Sequence, residues 1–350
     1  NIFGIYQIFA RAFDLPLAWL DYNNISMSRR GTADEQESIK QLSLQYGNFF
    51  RATSIFSEPS ALATFNIYIL ILIVIPYIQK TKMFFKSNLL NILIFIFAVA
   101  GLFLAFSLTG VLGLILILGG VFVLESIKIK RRILSIVLAM FVLLIPADLI
   151  IEQFTDTSVL QLFTKRITGI VNMNNKMAEG TEGESFGSRL LTVNKSIQVW
   201  EQSPLFGTGL GLTQFNKEVD MDYPDFSIMN ALCELGIVGA LGFGFMFVAL
   251  LIIGWKANNY IKKNPAIDDS LKRHFGLIFY LTLVQVEINF FTGNNLVVPN
   301  LWVPIFFILV PAYKFMLMHN KTYSFRLFNH ALKDKLEDNA NNNTPNPISD

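Results

Sequence analysis

The chain has 350 residues, of which 53% are hydrophobic and only 15% are charged. A soluble globular domain carries about 25% charged residues, so this composition argues against an ordinary soluble protein and indicates one that spans a membrane. The net charge of +2 says little, because the placement of charge in a membrane protein matters more than its sum. The single cysteine, Cys233, excludes an intramolecular disulfide framework.

Seven apolar segments approach the length of about 20 residues that a membrane-spanning helix needs. They are residues 61–78, 89–106, 111–124, 133–150, 229–255, 275–291 and 301–318. The third is short, and we expect it to be tilted or re-entrant. The sequence therefore predicts an all-α, polytopic integral membrane helix bundle with about seven spans. Because the chain begins at Asn1 and its first 50 residues contain no span, we also expect missing N-terminal helices.

The placement of lysine and arginine sets the expected orientation. When the connections are threaded alternately, 17 of the 28 basic residues fall on one side, which we take as cytoplasmic. The expected organisation is an external N-terminal segment at 1–60, four transmembrane helices at 61–150, a large external loop at 151–228, three transmembrane helices at 229–318 and a partly disordered cytoplasmic tail at 319–350. A loop as long as 151–228 is usually functional.

The start of the first span carries a charged pair. Ser57 precedes Glu58 and Pro59, which is the pattern of a helix start with a capping hydroxyl, an acid in the first turn and an early proline. This pattern places Arg51 and Glu58 at the external mouth of the span. An ordinary helix cap beside an interfacial arginine is the alternative interpretation.

The large loop contains an amphipathic helix from Ser188 onward, which Pro204 should end. Arg189 lies at the edge of its apolar stripe, on one face with Ser196 and Trp200. We expect this helix to lie on the membrane surface with Arg189 near the head groups.

Three alternating glycines, Gly207, Gly209 and Gly211, follow this helix. Such a spacing can turn successive backbone N–H groups toward an anion, and a tight turn is the alternative.

Carboxylates supply the candidate acid–base groups. Asp225 in the large loop is a candidate general base, and a solvated acidic loop is the alternative. Glu234 and Glu287 lie near the external ends of two spans, where ionisable groups are costly and indicate function unless they pair with a buried arginine. The three histidines are His274, His319 and His330. All map to the cytoplasmic side, so we expect no metal site and no histidine-based triad in the external segments.

Several landmarks resemble those of the O-antigen polymerase/ligase superfamily, and together they cover about residues 50–255. In chain order they are Arg51 with Phe56-Ser-Glu58-Pro59-Ser60, Ser107-x-Thr109-Gly110, Ser188-Arg189 with Trp200 and Ser203-Pro204-Leu205-Phe206-Gly207-x-Gly209-x-Gly211, and Asn230-Ala-Leu-Cys-Glu234-Leu-Gly236-Ile-Val-Gly239. Each motif alone is weak, but four in this order and topology are specific.

The resemblance implies a membrane glycosyltransferase that needs no cofactor. Its donor would be a glycan on undecaprenyl diphosphate at the outer leaflet of the bacterial inner membrane, polymerised into O-antigen, capsule or exopolysaccharide. Expected partners are this lipid-linked glycan and membrane lipid, with flippase and chain-length regulator proteins as further candidates and no nucleic acid.

The resemblance also implies roles for particular residues. Arg189 and Arg51, with Arg166, would hold the diphosphate, because guanidinium forks bind phosphate oxygens bidentately. Asp225 or Glu234, rather than Glu58, would deprotonate the acceptor hydroxyl. Glu58, Trp200, Gly207, Gly209 and Gly211 complete the expected substrate-binding set.

The chain departs from the ligase branch at one place. That branch has a histidine just before the segment that begins here at Asn230, whereas this chain has Ser227-Ile228-Met229. This difference favours a polymerase, although the arginine and spaced-glycine signature of some polymerases is also absent. The alternatives are ligase-type glycan transfer and a transporter of lipid-linked glycans. A transporter should show internal repeats and broken mid-membrane helices, and the sequence indicates neither.

Overall fold

The computed structural model describes residues 1–20, 45–46, 49–56, 58–171, 184–216, 219, 226–291 and 302–319. The described helices are α1 (Ile2–Ala12), α2 (Pro59–Gln79), α3 (Asn88–Ala105), α4 (Leu108–Leu124), α5 (Ile127–Thr155), α6 (Val159–Val171), α7 (Glu184–Gln202), α8 (Ser227–Lys263), α9 (Asp269–Phe291) and α10 (Trp302–His319), with a 3-10 turn at Thr213–Phe215. Two short strands, β1 (Gln45–Tyr46) and β2 (Phe49–Phe50), form an antiparallel pair. The predicted all-α fold is confirmed.

Each of the seven apolar segments is a helix, and five are long and apolar enough to cross a membrane: α2, α3, α5, α8 and α10. α4 is apolar but has only 17 residues, as the sequence predicted for the third segment. The chain is thus a polytopic integral membrane protein. The predicted total of about seven spans stays a prediction.

α9 lies at the centre of the bundle and packs against α8, α4 and α2. Small residues permit these close approaches, as is usual between membrane helices. A β-carbon added to Gly254 of α8 would lie 2.7 Å from the Phe279 backbone, and one added to Gly120 of α4 would lie 2.8 Å from Leu283.

A buried carboxylate joins four helices at the end of the bundle that we take as cytoplasmic. Glu125 follows α4 and is 5% exposed. Its Oε1 accepts hydrogen bonds from Gln79 of α2 at 2.9 Å, Asn258 of α8 at 3.3 Å and Tyr280 of α9 at 3.1 Å. Lys262 of α8 lies 3.2 Å from its Oε2. The partners come from α2, α8 and α9, so the cluster holds the ends of these helices and the end of α4 together.

Asp148 of α5 caps the following helix, α6. Its carboxylate accepts hydrogen bonds from the Ser158 hydroxyl at 2.7 Å and from the backbone N–H groups of Val159 at 2.7 Å and Leu160 at 3.3 Å. These N–H groups have no partner within their own helix, so the carboxylate satisfies them from outside. The start of the large loop is therefore anchored to the bundle.

The helix start at α2 differs from the sequence expectation in one detail. Pro59 is the first helical residue, as predicted, but Glu58 occupies the N-cap position with extended backbone instead of lying in the first turn. Its side chain makes no capping hydrogen bond and is exposed. Ser57, the predicted cap, lies outside the described residues.

Candidate functional site

The segment after α7 is a tight glycine loop whose start is fixed by Trp200. The Trp200 indole N–H donates to the Pro204 carbonyl at 2.9 Å, and the Gly207 N–H donates to the Ser203 carbonyl at 2.9 Å. Pro204 follows the end of the helix, as predicted. Gly207, Gly209 and Gly211 all have positive φ, at 73°, 104° and 73°. This backbone region is one that glycine adopts without strain, which explains their alternating spacing.

α8 is broken nine residues after its first residue. Gly236 has φ 65° and ψ −169°, far from helical values, and separates a short N-terminal piece from the long remainder. The sequence indicated no helix broken at mid-membrane, and this break lies near the N-terminal end of α8. Glycine is the residue that permits this backbone conformation at low cost.

The glycine loop and the break in α8 interlock through their backbones. The N–H groups of Thr208 and Gly209 donate to the carbonyls of Cys233 at 2.8 Å and Glu234 at 2.9 Å. In return, Ile237 N–H donates to the Pro204 carbonyl at 2.9 Å. The carbonyls freed by the helix break thus find donors in the loop, and the N–H groups beyond it find acceptors there.

Glycine is needed at the point where the two backbones cross. A β-carbon on Gly207 would lie 2.4 Å from the carbonyl carbon of Glu234, and one on Gly236 would lie 2.3 Å from the carbonyl carbon of Leu205. Because the N–H groups of Gly207 and its two successors donate to protein carbonyls, this geometry favours the tight-turn interpretation over an anion-binding nest. We call residues 204–211 and 233–238 the interlock.

Glu234 is the ionisable group at the interlock. It is 1% exposed, and neither carboxylate oxygen makes a hydrogen bond of standard geometry. The Gly211 N–H and the Thr213 hydroxyl act on this carboxylate from the loop side, although both contacts fall short of that geometry. Thr213 is itself fully buried, with an unsatisfied hydroxyl. Buried polar atoms are nearly always satisfied in native proteins, so this pair is a place where a ligand, a proton or water can bind.

α7 packs on the N-terminal piece of α8 through Ser196 and Val199, which are both fully buried. The Cys233 thiol donates to the Ser196 carbonyl at 3.2 Å. On the predicted apolar stripe, by contrast, Val193 is half-buried and Ile197 is 36% exposed. The buried contact with α8 is therefore made by Ser196 and Val199, while Ile197 and half of Val193 are left exposed.

Arg189 belongs to α7, and its register places it on the face of Ser196, the residue that contacts α8. The seven residues between them correspond to roughly 10 Å along the helix axis. The Arg189 and Arg166 side chains and all of Asp225 lie outside the described residues. Their roles remain predictions.

Arg51 and Glu58 lie beside α1 and the start of α2. Arg51 is half-buried in the segment that follows β2. Its carbonyl accepts a hydrogen bond from Arg11, and the N–H of Ala52 donates to the Leu104 carbonyl of α3 at 2.9 Å. The contact between Arg51 and substrate remains a prediction.

Among the described residues, no group of three or more His, Cys, Asp or Glu side chains could hold a metal ion. The second candidate acid, Glu287 of α9, is 1% exposed and one of its oxygens lacks a hydrogen bond. On the same helix, Asn289 donates to the Gln285 carbonyl at 2.6 Å, and Gln285 contacts the Tyr68 hydroxyl of α2. This polar group lies inside the bundle, apart from the glycine loop.

Sequence reasoning missed Thr213 and Arg11, and it gave Gly236 no structural role. Gly236 carried a weak signal, because an isolated glycine inside a helical pattern costs about 1 kcal/mol relative to alanine and is therefore a place where the helix can break. Thr213 and Arg11 carried none, since each acts on a partner that is distant in sequence.

Comparison with known proteins bears on this region. Residues 93–244 match the family model described as O-antigen ligase. The match contains α7, the glycine loop and the break in α8, so the interlock lies within the family domain. Among curated proteins, none matches the chain. The match spans less than half of the chain and, together with the membrane helices around it, supports a relation to the O-antigen polymerase/ligase superfamily and to its processing of O-antigen-type glycans.

Proposed function

We propose that this chain is a polymerase of polyprenyl-diphosphate-linked oligosaccharide repeat units, working at the external face of the inner membrane. The observation that carries the proposal is Glu234, a buried carboxylate held by the interlock inside the matched region. An ionisable group at the end of a membrane helix is a functional group by default. The family match supports glycan transfer, and the absence of a histidine before Asn230 favours a polymerase.

The proposed reaction needs one base and one anion clamp. The acceptor sugar hydroxyl loses its proton to the Glu234 carboxylate and attacks the anomeric carbon of the donor. The bond between that carbon and the diphosphate oxygen breaks, and the polyprenyl diphosphate leaves with the bonding electron pair. The energy of the new glycosidic bond comes from the bond that breaks, so no nucleotide is required.

Arginines supply the clamp in this proposal. Arg189 stabilises the charge that grows on the departing diphosphate, which lowers the barrier, and Arg51 binds the diphosphate before and during transfer. Arg189 lies roughly 10 Å along α7 from the Ser196 contact with α8. The reacting sugar would therefore lie near Glu234, on the Arg189 side of the contact between α7 and α8. Arg166 and Asp225 are further candidates for the clamp and the base.

Two substitutions test the assignment in a polymerisation assay with purified full-length protein. Glu234→Gln keeps the shape of the side chain but removes the base, so kcat should fall roughly 10²–10⁴-fold with little change in KM. Glu287→Gln is the matched control, because Glu287 is an equally buried acid on the neighbouring helix. If Glu287→Gln lost the activity and Glu234→Gln kept it, the base would be misassigned.

The arginine clamp has its own test. Arg189→Ala should abolish long chains while leaving membrane insertion intact, and Arg189→Lys should rescue poorly because a point charge cannot replace the fork. Lys195→Ala, a change of an exposed cation on the same helix, should leave chain length unchanged. Near-normal chains from a well-expressed Arg189→Ala variant would remove the clamp role.

Ligase-type transfer is the second candidate, and one observation favours it: the matched family model is described as O-antigen ligase. A ligase would move a finished glycan to a lipid or protein acceptor, with no multiples of the repeat unit. The break in α8 does not favour a transporter, because it lies near the end of the helix and not at its middle.

A further inference from the structure

Arg11 of α1 is a buried cation with only 7% of its surface exposed. Its guanidinium donates from Nε to the Ala18 carbonyl at 2.9 Å, from Nη1 to the Arg51 carbonyl, and from Nη2 to the Thr53 hydroxyl at 2.7 Å. The ring of Trp19 covers the guanidinium at 4.0 Å. Burying a charge is costly unless its hydrogen bonds are made, so these contacts hold the side chain in one geometry.

Two of these acceptors belong to the short segment that carries Arg51. Both Ala52 and Thr53 in this segment are fully buried. The N–H of Ala52 donates to the Leu104 carbonyl of α3 at 2.9 Å. The Arg51 backbone is therefore held from both sides: its carbonyl by α1 and the next N–H by α3.

This double anchoring suits a side chain that must recognise a phosphate group. Bidentate recognition depends on the guanidinium lying within a fraction of an ångström of its productive position. Arg51 is half-buried and its Nε is buried, so part of the residue stays accessible on a backbone that α1 and α3 hold in place. A lysine in place of Arg11 could not reproduce the anchor, because one ammonium nitrogen cannot serve acceptors that the planar fork reaches separately.

We propose that Arg11 is a positioning residue, which fixes the backbone from which the Arg51 guanidinium contacts the phosphate groups of the lipid-linked substrate. The proposal rests on the proposed function, in which Arg51 binds the diphosphate. Arg11 itself does not touch substrate. It acts through the peptide group of Arg51 and through Thr53.

A double-mutant cycle tests the proposal in the full-length protein, reconstituted in lipid nanodiscs with undecaprenyl diphosphate as the probe. Arg51→Ala should raise the Kd of the probe roughly tenfold, the effect of losing one charge-assisted hydrogen bond. Arg11→Lys should raise it by a similar factor, and the double variant should bind no more weakly than Arg51→Ala alone. At saturating donor, kcat of Arg11→Lys should stay within about twofold, because the lost contact is equal in ground and transition states.

Arg132→Lys is the matched control, because Arg132 also donates from its guanidinium to a backbone carbonyl, that of Ile78, at 2.9 Å. It should lower the thermal stability without changing the Kd of the probe. Thr53→Val removes one acceptor of Arg11 and leaves the arginine in place. It should give an intermediate Kd, and it replaces Arg11→Lys in the cycle if that variant does not fold.

Three results would overturn the proposal. If the effects of Arg11→Lys and Arg51→Ala multiply, Arg11 acts independently of Arg51. If Arg132→Lys weakens binding as much as Arg11→Lys does, the effect is a general loss of stability. If the Kd of the probe is unchanged in Arg51→Ala, Arg51 does not bind the phosphate groups, and Arg11 has no such residue to position. The Glu234 and Arg189 variants test the proposed function separately.

Discussion

The substitution Gly236→Ala tests the interlock most severely, because two independent costs coincide there. The backbone at Gly236 has φ 65°, where a side chain is strained, and its β-carbon would lie 2.3 Å from the carbonyl carbon and oxygen of Leu205. These neighbours are backbone atoms, which cannot rotate away as the end of a side chain can. The two crossing segments would have to separate.

The size of the effect follows from those two terms. Strain at a disfavoured backbone conformation costs roughly 1–3 kcal/mol. Overpacking against immovable atoms costs roughly another 1–3 kcal/mol. Gly236→Ala should thus destabilise the interlock by roughly 2–6 kcal/mol. Gly211→Ala isolates the first term, because Gly211 has φ 73° but open space around its β-carbon position. Gly242→Ala has neither cost, since nothing lies within 4 Å and its helical backbone accepts alanine.

Hydrogen exchange measured by mass spectrometry reports the interlock directly. Peptides containing Thr208, Gly209 and Ile237 should exchange fastest in Gly236→Ala, at an intermediate rate in Gly211→Ala and at the parental rate in Gly242→Ala. Their N–H groups donate across the crossing, so its opening exposes them. Equal protection in Gly236→Ala and Gly242→Ala, with both proteins folded, would refute the backbone crossing.

Two further substitutions probe the bundle away from the interlock. Glu125→Ala leaves four polar partners without their acceptor, so thermal unfolding should show a loss of roughly 3 kcal/mol or more. The control Asp269→Ala breaks an exposed ion pair with Lys272 and should cost less than about 1 kcal/mol. Equal losses of stability in the two variants would contradict the Glu125 cluster. Asp148→Ala removes the cap of α6 and should destabilise the protein by about 1–3 kcal/mol. Asp148→Asn should have a stability between those of the parent and Asp148→Ala, because its amide oxygen still accepts hydrogen bonds. A circular-dichroism melt in which Asp148→Ala matches the parent would exclude the cap.

The helices were predictable from the sequence because a bilayer leaves the backbone few choices. An apolar run near 20 residues must satisfy its own N–H and C=O groups, so segments such as 61–78 and 89–106 could only be helices. The start at Pro59 also followed from local chemistry, since proline lacks the N–H that a first helical residue would leave unpaired.

The interlock could not be predicted, because it depends on two segments about 30 residues apart meeting backbone to backbone. Such a contact leaves no side-chain pattern, only glycines at the crossing. Gly207 and Gly236 were visible in the sequence, but nothing local distinguishes a glycine that meets another chain segment from one that binds an anion. The buried face of α7 was missed for a related reason: Ser196 packs on α8 although it is polar, while Ile197 remains exposed.

The candidate site residues show the same difference between features that local sequence reveals and contacts between distant segments. Glu234 was identified from the cost of placing an acid in a membrane helix, which is a local argument. Arg11 was not identified, because its acceptor on Arg51 lies 40 residues away and is a backbone oxygen. A role that acts through another residue's peptide group leaves no mark on the sequence around either residue.

The central claim, polymerisation driven by the diphosphate bond, is tested most directly in vitro. Purified full-length protein is incubated with its host's undecaprenyl-diphosphate repeat unit, without nucleotide sugar or ATP, and the products are separated by size. We predict a ladder of multiples of the repeat unit that is absent in Glu234→Gln. Intact substrate after incubation with folded protein would contradict the claim and favour a ligase that lacks its acceptor, or a transporter.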